Sequence, residues 1–217
     1  MAANMKEIKE RIDSVKSTSQ ITNAMNIVSS TKFKRFQVLT LKSRNYARAV
    51  DEAFDNLVAS LTGNKFVIFD GKPEVKRVGI IVMTSDRGLC GSFNSNTFRR
   101  LESMKKEFQK EGREVSVITI GRKAKEYCKN RDINVDSEYT QMIPETMFET
   151  GKKISEDVVQ FYLNDFYDEV YMIYSKFVSA IEYNIQVEKL LPIEKKEGLP
   201  TKEYIFEPSE EEVLNSF

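Results

Sequence analysis

The chain has 217 residues with 33 basic and 33 acidic side chains, two cysteines and no histidine. The lack of histidine excludes the Ser-His-Asp and Cys-His catalytic systems and most catalytic zinc sites. Two cysteines without a CxxC motif exclude a disulfide scaffold and a zinc ribbon. Chemistry carried out by Asp, Glu or Lys stays possible, but these absences make an enzyme much less expected, and we expect no catalytic residue, no cofactor and no metal. No apolar run approaches the roughly 20 residues of a membrane span, and the N-terminus lacks the features of a signal or transit peptide.

Residues 1–62 contain neither glycine nor proline and are predicted to form one long helix. Apolar residues recur along it at spacings of three and four, from Met5 to Leu57, as in a coiled-coil seam with a stutter. Small polar residues interrupt this stripe between Ser14 and Thr31. A helix with one apolar stripe buries it against something. The predicted partner is another chain, a second copy of this chain, or a segment missing from it.

The same helix has an uneven charge distribution. From Ser14 to Val50 there are seven basic residues and no acidic one. A basic face of this kind indicates an anionic partner or a solvated helix face.

An α/β domain is predicted for residues 63–208. It opens with Val75–Thr84, an apolar run typical of a buried parallel strand. The later predicted elements are helix Ser95–Glu111, strand Glu114–Ile120, helix Arg122–Asn130, a short strand near Ile133–Val135, helix Glu145–Leu163, strand Glu169–Val178 and an edge stretch, Asn184–Pro192. This alternation predicts a Rossmann-like domain with a mainly parallel sheet covered on both faces.

The turn after the first strand contains Gly88, Cys90 and Gly91. Their spacing matches neither the dinucleotide-binding fingerprint nor the phosphate loop of NTPases. The glycines are therefore expected to be structural. Cys90 has no histidine partner and is expected to be a packed or idle thiol.

Residues 209–217 are predicted to start a further helix. Ser209 is a good N-cap and Glu212 occupies the capping-box position. Eight residues after a cap make only about two turns, and isolated helices of that length are marginal. We therefore expect a C-terminal helix that is truncated in this chain.

Three segments resemble the gamma subunits of F-type ATP synthases. The first is the pattern of apolar and basic residues from Ile8 to Arg35. The second is the SDRGLCG motif at Ser85–Gly91. The third is YSKFVSAI at Tyr174–Ile181, followed by LLPI at Leu190–Ile193. The resemblance runs in order along essentially the whole chain.

This resemblance implies a rotor shaft. In the family, an N-terminal and a C-terminal helix form an antiparallel coiled coil inside a ring of three α and three β subunits. The α/β domain lies at the foot, beside the ε subunit and the c-ring. The shaft couples ion-driven rotation of the c-ring to ATP synthesis or hydrolysis on the β subunits. With no transit peptide and no cysteine-bearing insertion of the chloroplast type, the expected location is the cytoplasmic face of a bacterial membrane.

The resemblance also assigns partner contacts. Met25 aligns with the shaft methionine near the acidic lever loop of β, and Lys32 and Arg35 lie in the same basic stretch. Arg87 aligns with the arginine that faces acidic groups on the stator, and Arg99 is at a commonly basic position. For Met25, plain packing within the seam is an equal alternative, because methionine suits both roles.

Three other functions compete with this interpretation. A Rossmann-like enzyme is disfavoured because the phosphate loop and histidine are absent. A nucleic-acid-binding module is disfavoured because the net charge is zero and the basic stretch has few interleaved aromatic residues. A homodimeric coiled-coil scaffold remains the alternative, with self-association of the truncated chain.

Overall fold

The computed structural model describes residues 2–60 and 67–194 and the single positions Glu207 and Glu212. The chain divides into two compact units, one containing the long N-terminal helix and the other the α/β domain. The predicted start of a C-terminal helix at 209–217 lies outside the described residues except for Glu212, so it stays a prediction.

The first helix, α1, runs without interruption from Ala2 to Ser60, as the absence of glycine and proline predicts. Three threonines of its small polar stretch form hydrogen bonds within the helix. The hydroxyls of Thr18, Thr22 and Thr31 each donate to the carbonyl oxygen four residues earlier, at 2.8–3.0 Å. These hydroxyl donors are therefore used within the helix itself.

The α/β domain contains four helices and five strands among its described residues. In chain order they are α2 (Val67–Asp70), β1 (Arg77–Met83), α3 (Phe93–Lys110), β2 (Glu114–Ile120), α4 (Arg122–Lys129), β3 (Val135–Tyr139), α5 (Met147–Leu163), β4 (Glu169–Phe177) and β5 (Tyr183–Leu191). The sheet order is β3-β2-β1-β4-β5. All pairs are parallel except β4 with β5. The predicted mainly parallel sheet is confirmed, and β5 is its antiparallel edge.

Both faces of the sheet are covered, as expected. On one face, Leu101 and Met104 of α3 and Cys128 of α4 pack with the strands. On the other face, Ile154 and Val158 of α5 pack with a second set of strand residues. The near-continuous apolar strands follow from this double burial.

The third strand was predicted too early. The apolar pair Ile133 and Val135 suggested a strand at 133–135, but β3 runs from Val135 to Tyr139. The backbone N–H of Ile133 donates to the carbonyl of Cys128 at 3.1 Å, so Ile133 belongs to the turn that ends α4. The strand itself contains polar residues because it is an edge strand, exposed on alternate side chains.

A buried carboxylate joins the starts of β1 and β4. Asp168 accepts hydrogen bonds from the backbone N–H groups of Lys76 and Arg77, at 2.9 and 2.8 Å. The ammonium of Lys72 lies 3.5 Å from the same carboxylate and donates to the carbonyl of Tyr167 at 2.7 Å. Burial opposes ionisation of Asp168, but these N–H donors and the Arg77 guanidinium outweigh it and lower the pKa of the carboxyl below 3.8.

Candidate partner-contact sites

Three of the predicted contact residues lie on α1. Met25 is 51% exposed, and Lys32 and Arg35 are also exposed. Met25 and Lys32 are seven residues apart, so they lie on the same side of the helix, about 10 Å from each other along its axis. Arg35 lies about a quarter of the way around the helix axis from them. One side of α1 therefore presents a polarizable thioether and nearby basic groups to solvent.

Arg87 lies at the tip of the turn between β1 and α3, and the inside of that turn is held by Asn94. The amide of Asn94 accepts a hydrogen bond from the N–H of Ser85 at 3.1 Å and donates to Cys90 Sγ at 3.2 Å. The Ser85 hydroxyl donates to the carbonyl of Arg87 at 2.6 Å. Because its backbone is fixed from within, the exposed side chain of Arg87 projects from a defined position.

The neighbouring residue Asp86 fastens this turn to α4. Its carboxylate accepts a hydrogen bond from the N–H of Arg122, the first residue of α4, at 2.8 Å, as an acidic group at a helix N-terminus does. The guanidinium of Arg122 donates back to the carbonyl of Asp86 at 3.2 Å. Lys123 lies beside Gly88, 3.9 Å from where a Cβ would be. Arg122 and Lys123 therefore lie near Arg87, but the Asp86 carboxylate binds the Arg122 backbone and Lys123 pairs with Glu126 at 2.5 Å, so the surface there carries charges of both signs.

Sequence reasoning missed Arg122 and Lys123 as members of this site. They are 35 and 36 residues beyond Arg87, and only the pairing of β1 with β2 brings the two turns together. The sequence did contain a weak signal for this proximity. Both turns follow predicted parallel strands, and the carboxyl ends of adjacent parallel strands meet at one edge of a sheet.

Arg99 is exposed on α3, seven residues into that helix. The start of α3 is tied to the β4–β5 hairpin through Tyr183, whose hydroxyl accepts a hydrogen bond from Asn96 at 3.0 Å. The ion pairs recorded among the described residues include neither Arg87 nor Arg99. Both cations are therefore available to an acidic partner.

The two cysteines differ in environment. Cys128 is fully buried, and burial raises the pKa of its thiol to about 11, so it stays protonated and packs as a small apolar group. Cys90 is exposed in the turn. Within residues 2–60 and 67–194, no group of three or more Cys, Asp or Glu side chains is placed to hold a metal ion. No helix in the described part of the chain is long and apolar enough to cross a membrane.

These features define a class of protein in which a long helix with exposed apolar and basic side chains is combined with a Rossmann-like domain. Residues 4–217 match the family model described as ATP synthase. The ATP synthase gamma chain of Fusobacterium nucleatum subsp. nucleatum is 44% identical over 212 residues, which are 98% of this chain and 74% of that relative. The gamma chain of Trichlorobacter lovleyi is 38% identical, with the same coverage of each chain. The chain belongs to the ATP synthase gamma-chain family.

Solved structures agree on the fold. The central stalk and c-ring structure of Tetrahymena thermophila mitochondrial ATP synthase contains a chain that is similar with a TM-score of 0.67 and 24% identity, over 90% of this chain and 84% of that one. A rotor chain of Euglena gracilis mitochondrial ATP synthase has a TM-score of 0.57 and 17% identity, over 88% and 64%. The family resemblance of the three motifs is confirmed, and with it the role of a rotor-stalk subunit.

Proposed function

We propose that this chain transmits torque between an ion-driven c-ring and the β subunits of an ATP synthase, and that it catalyses no reaction itself. The observation that supports this most is α1, a helix of 59 residues whose apolar and basic side chains are exposed along most of its length. A helix of that kind is stable only with a surface to cover it. The ring of α and β subunits provides such a surface.

The basic residues are proposed to meet acidic groups on that ring. Met25, Lys32 and Arg35 contact the acidic lever loop of β, and Arg87 and Arg99 contact acidic groups of the stator. The exposure of all five side chains supports this assignment. The ε subunit and the c-ring contact the α/β domain.

ATP chemistry is proposed to take place on β and not on this chain. The absence of histidine from the sequence and of a phosphate-loop motif from the β1–α3 turn supports this division. The complex is proposed to lie on the cytoplasmic face of a bacterial membrane, with this chain as a peripheral subunit.

A homodimeric scaffold is the second candidate. It is favoured by the exposed apolar residues of α1, which include Phe36 at 42% and Leu39 at 44% exposure. Two copies of the chain paired along this face would cover it as well as the ring of α and β subunits does.

Reconstitution with α and β subunits tests the proposal. The full chain is expected to co-purify with α and β in a 3:3:1 ratio and to hydrolyse no ATP alone. Lys32→Glu combined with Arg35→Glu is expected to change ATP turnover of the assembled complex, whereas Lys9→Glu, outside the acid-free stretch, leaves it unchanged. A stable dimer that excludes α and β would favour the scaffold, and ATP turnover by the chain alone would refute the proposal.

A further inference from the structure

An apolar cavity of about 420 Å³ lies between α5 and the sheet. Its floor is formed by side chains of β1, β2, β4 and β5, and its roof by one face of α5. The lining residues are Ile81, Met83, Ile120, Met142, Gly151, Ile154, Ser155, Val158, Val159, Met172, Leu190, Leu191 and Ile193. We call this space the α5 cavity.

The α5 cavity is recessed inside the domain. Ile81 and Val158, on opposite sides of it, are only 3% and 4% exposed. Met83, at the end of β1, is 37% exposed and marks a more open side. Ser155 is exposed as well, so the cavity has deeply buried walls and one open side.

Gly151 leaves part of the roof open. It lies within α5 on the same face as Ile154 and Val158, and a Cβ built on it meets no atom within 4 Å. Glycine destabilises a helix interior relative to almost any other residue except proline. Here its lack of a side chain leaves space beside the cavity that a larger residue would fill.

The chemistry of the lining selects a neutral ligand. None of the described lining residues is charged. The hydroxyl of Ser155 donates to the carbonyl of Gly151 at 3.1 Å, so the one side-chain donor is already used within the helix. Three methionines, Met83, Met142 and Met172, adapt to ligands of different shape because their side chains are flexible and polarizable. A charged group would lose its hydration here without compensation.

The cavity spans the point in the sheet where the strand order reverses. In the order β3-β2-β1-β4-β5, that point lies between β1 and β4. Ile81 of β1 and Met172 of β4 are register partners across it, and both line the cavity.

We propose that the α5 cavity binds a small neutral apolar molecule with an alkyl chain or an alkylated aromatic ring. A cavity of about 150 Å³ lined by aliphatic and aromatic side chains holds a benzene molecule, so this larger space accommodates a ring with a short alkyl chain. The site is independent of the residues assigned to contacts with the ring of α and β subunits. Occupancy stabilises the α/β domain, because the ligand binds only the folded form.

The test uses the full chain labelled with ¹³C at the methionine methyl groups and titrated with butylbenzene. The methyl signals of Met83, Met142 and Met172 are expected to shift with a single saturable isotherm. Met104 is an internal control, because it is buried on the opposite face of the sheet and its signal is expected to stay in place. Shifts of all methionines together, or no saturable shift, would overturn the proposal.

Two substitutions on α5 localise the binding. Gly151→Leu is expected to weaken butylbenzene binding at least tenfold by filling the space, and Gly151→Ala is expected to weaken it less. Lys152→Leu adds the same side chain at a solvent-exposed neighbour and is expected to bind as the wild type does. Equal affinity of wild type and Gly151→Leu would overturn the proposal. So would methyl shifts that depend on protein concentration without butylbenzene, since these would assign the cavity to a second copy.

Discussion

At the scale of single residues, Arg87 shows how a fixed backbone presents an exposed charge. We predict that Arg87→Glu changes ATPase activation or coupling in the reconstituted complex. It should leave the free energy of unfolding of the isolated chain within about 0.5 kcal/mol of wild type, as exposed substitutions usually do. Exposed ion pairs are worth about 0–1 kcal/mol, so the effect falls on rate rather than on assembly. Turnover and ion pumping of the variant complex measure it.

Lys106→Glu is the matched control for that charge reversal. Lys106 is exposed on α3, outside the β1–α3 turn. Equal turnover and pumping in the wild-type and Arg87→Glu complexes would count against a contact at Arg87. An equal defect in both variants would show a general effect of charge instead.

Asp168 is a residue whose charge supports the fold. We predict that Asp168→Asn lowers the free energy of unfolding by about 2–3 kcal/mol at pH 7, because it weakens charge-assisted hydrogen bonds to two backbone N–H groups. The folded-state pKa of Asp168 lies below its ordinary value of 3.8. Its stabilisation is therefore present above that value and is lost as the pH falls through the folded-state pKa. Urea unfolding between pH 7 and pH 3 measures the difference.

Asp165→Asn separates this effect from the loss of a surface charge. The side chain of Asp165 is 73% exposed and pairs with Lys72 at 2.7 Å. Its substitution is expected to cost under about 1 kcal/mol. A difference between wild type and Asp168→Asn that does not shrink below about pH 4 would contradict the assigned role of the carboxylate.

At the scale of elements, the turn from β2 into α4 depends on Gly121. This glycine has a φ of 96°, and a Cβ there would lie 2.3 Å from the carbonyl oxygen of Thr84. The close approach exists because Thr84 binds both sides of the turn. Its N–H donates to Ile120, and its hydroxyl accepts a hydrogen bond from the N–H of Ala124, each at 2.8 Å.

We predict that Gly121→Ala destabilises the domain by about 3 kcal/mol or more, since backbone strain of about 1–3 kcal/mol adds to a clash with a carbonyl group. Gly112→Ala is the control. Gly112 has a φ of 76°, but a Cβ there meets nothing within 4 Å. The difference between the two variants in thermal unfolding therefore reports the clash together with the added backbone strain of Gly121, whose ψ is 142°. Similar losses of stability would show that backbone conformation, and not the approach of Thr84, decides the preference for glycine.

A second prediction at this scale concerns the apolar face of α1 from Phe36 to Leu57. Each large apolar side chain left in water forgoes about 1.5–3 kcal/mol. Phe36, Leu39 and Val50 are all at least 36% exposed, whereas Leu57 at the end of this face is already buried, at 8% exposure. We predict that the purified chain self-associates through residues 36–57. Residues before 32 should exchange their amide hydrogens faster, because the small polar stretch buries less area. Light scattering over a concentration series and hydrogen exchange measure the two effects.

Leu39→Glu combined with Val50→Glu is expected to keep the chain monomeric, because each change puts a charge into the contact. Lys42→Glu changes the charge of the same segment without touching the apolar positions, and it is expected to leave association intact. A strictly monomeric wild-type chain at high concentration would contradict the prediction.

At the scale of the whole molecule, family membership supports a rotor-stalk subunit, and the chain divides into two units with different surfaces. The helix unit offers a long surface whose side chains are mostly exposed. The domain unit buries an apolar core on each face of its sheet. A torque-transmitting subunit needs both a surface that other chains can contact and a domain that keeps its shape.

Much of this organisation is determined by local sequence. The run of 62 residues without glycine or proline predicted α1, and the apolar run at Val75–Thr84 predicted β1, because backbone conformation there follows from the residues themselves. The motifs identified the family by their order along the chain. The strand β3 was misplaced and the short helix α2 was not predicted, because edge pairing and a four-residue helix leave little periodic pattern.

The tertiary structure alone decided how distant residues combine. Arg122 and Lys123 join Arg87 because β1 and β2 are adjacent in the sheet. The α5 cavity forms because the face of α5 that bears Gly151 lies over strands that are distant from it in sequence. By itself the sequence determined most of the elements, the family and the charge of α1, since these depend on near neighbours or on the residue types present. Sites assembled across the sheet depend on strand order, which no local pattern encodes.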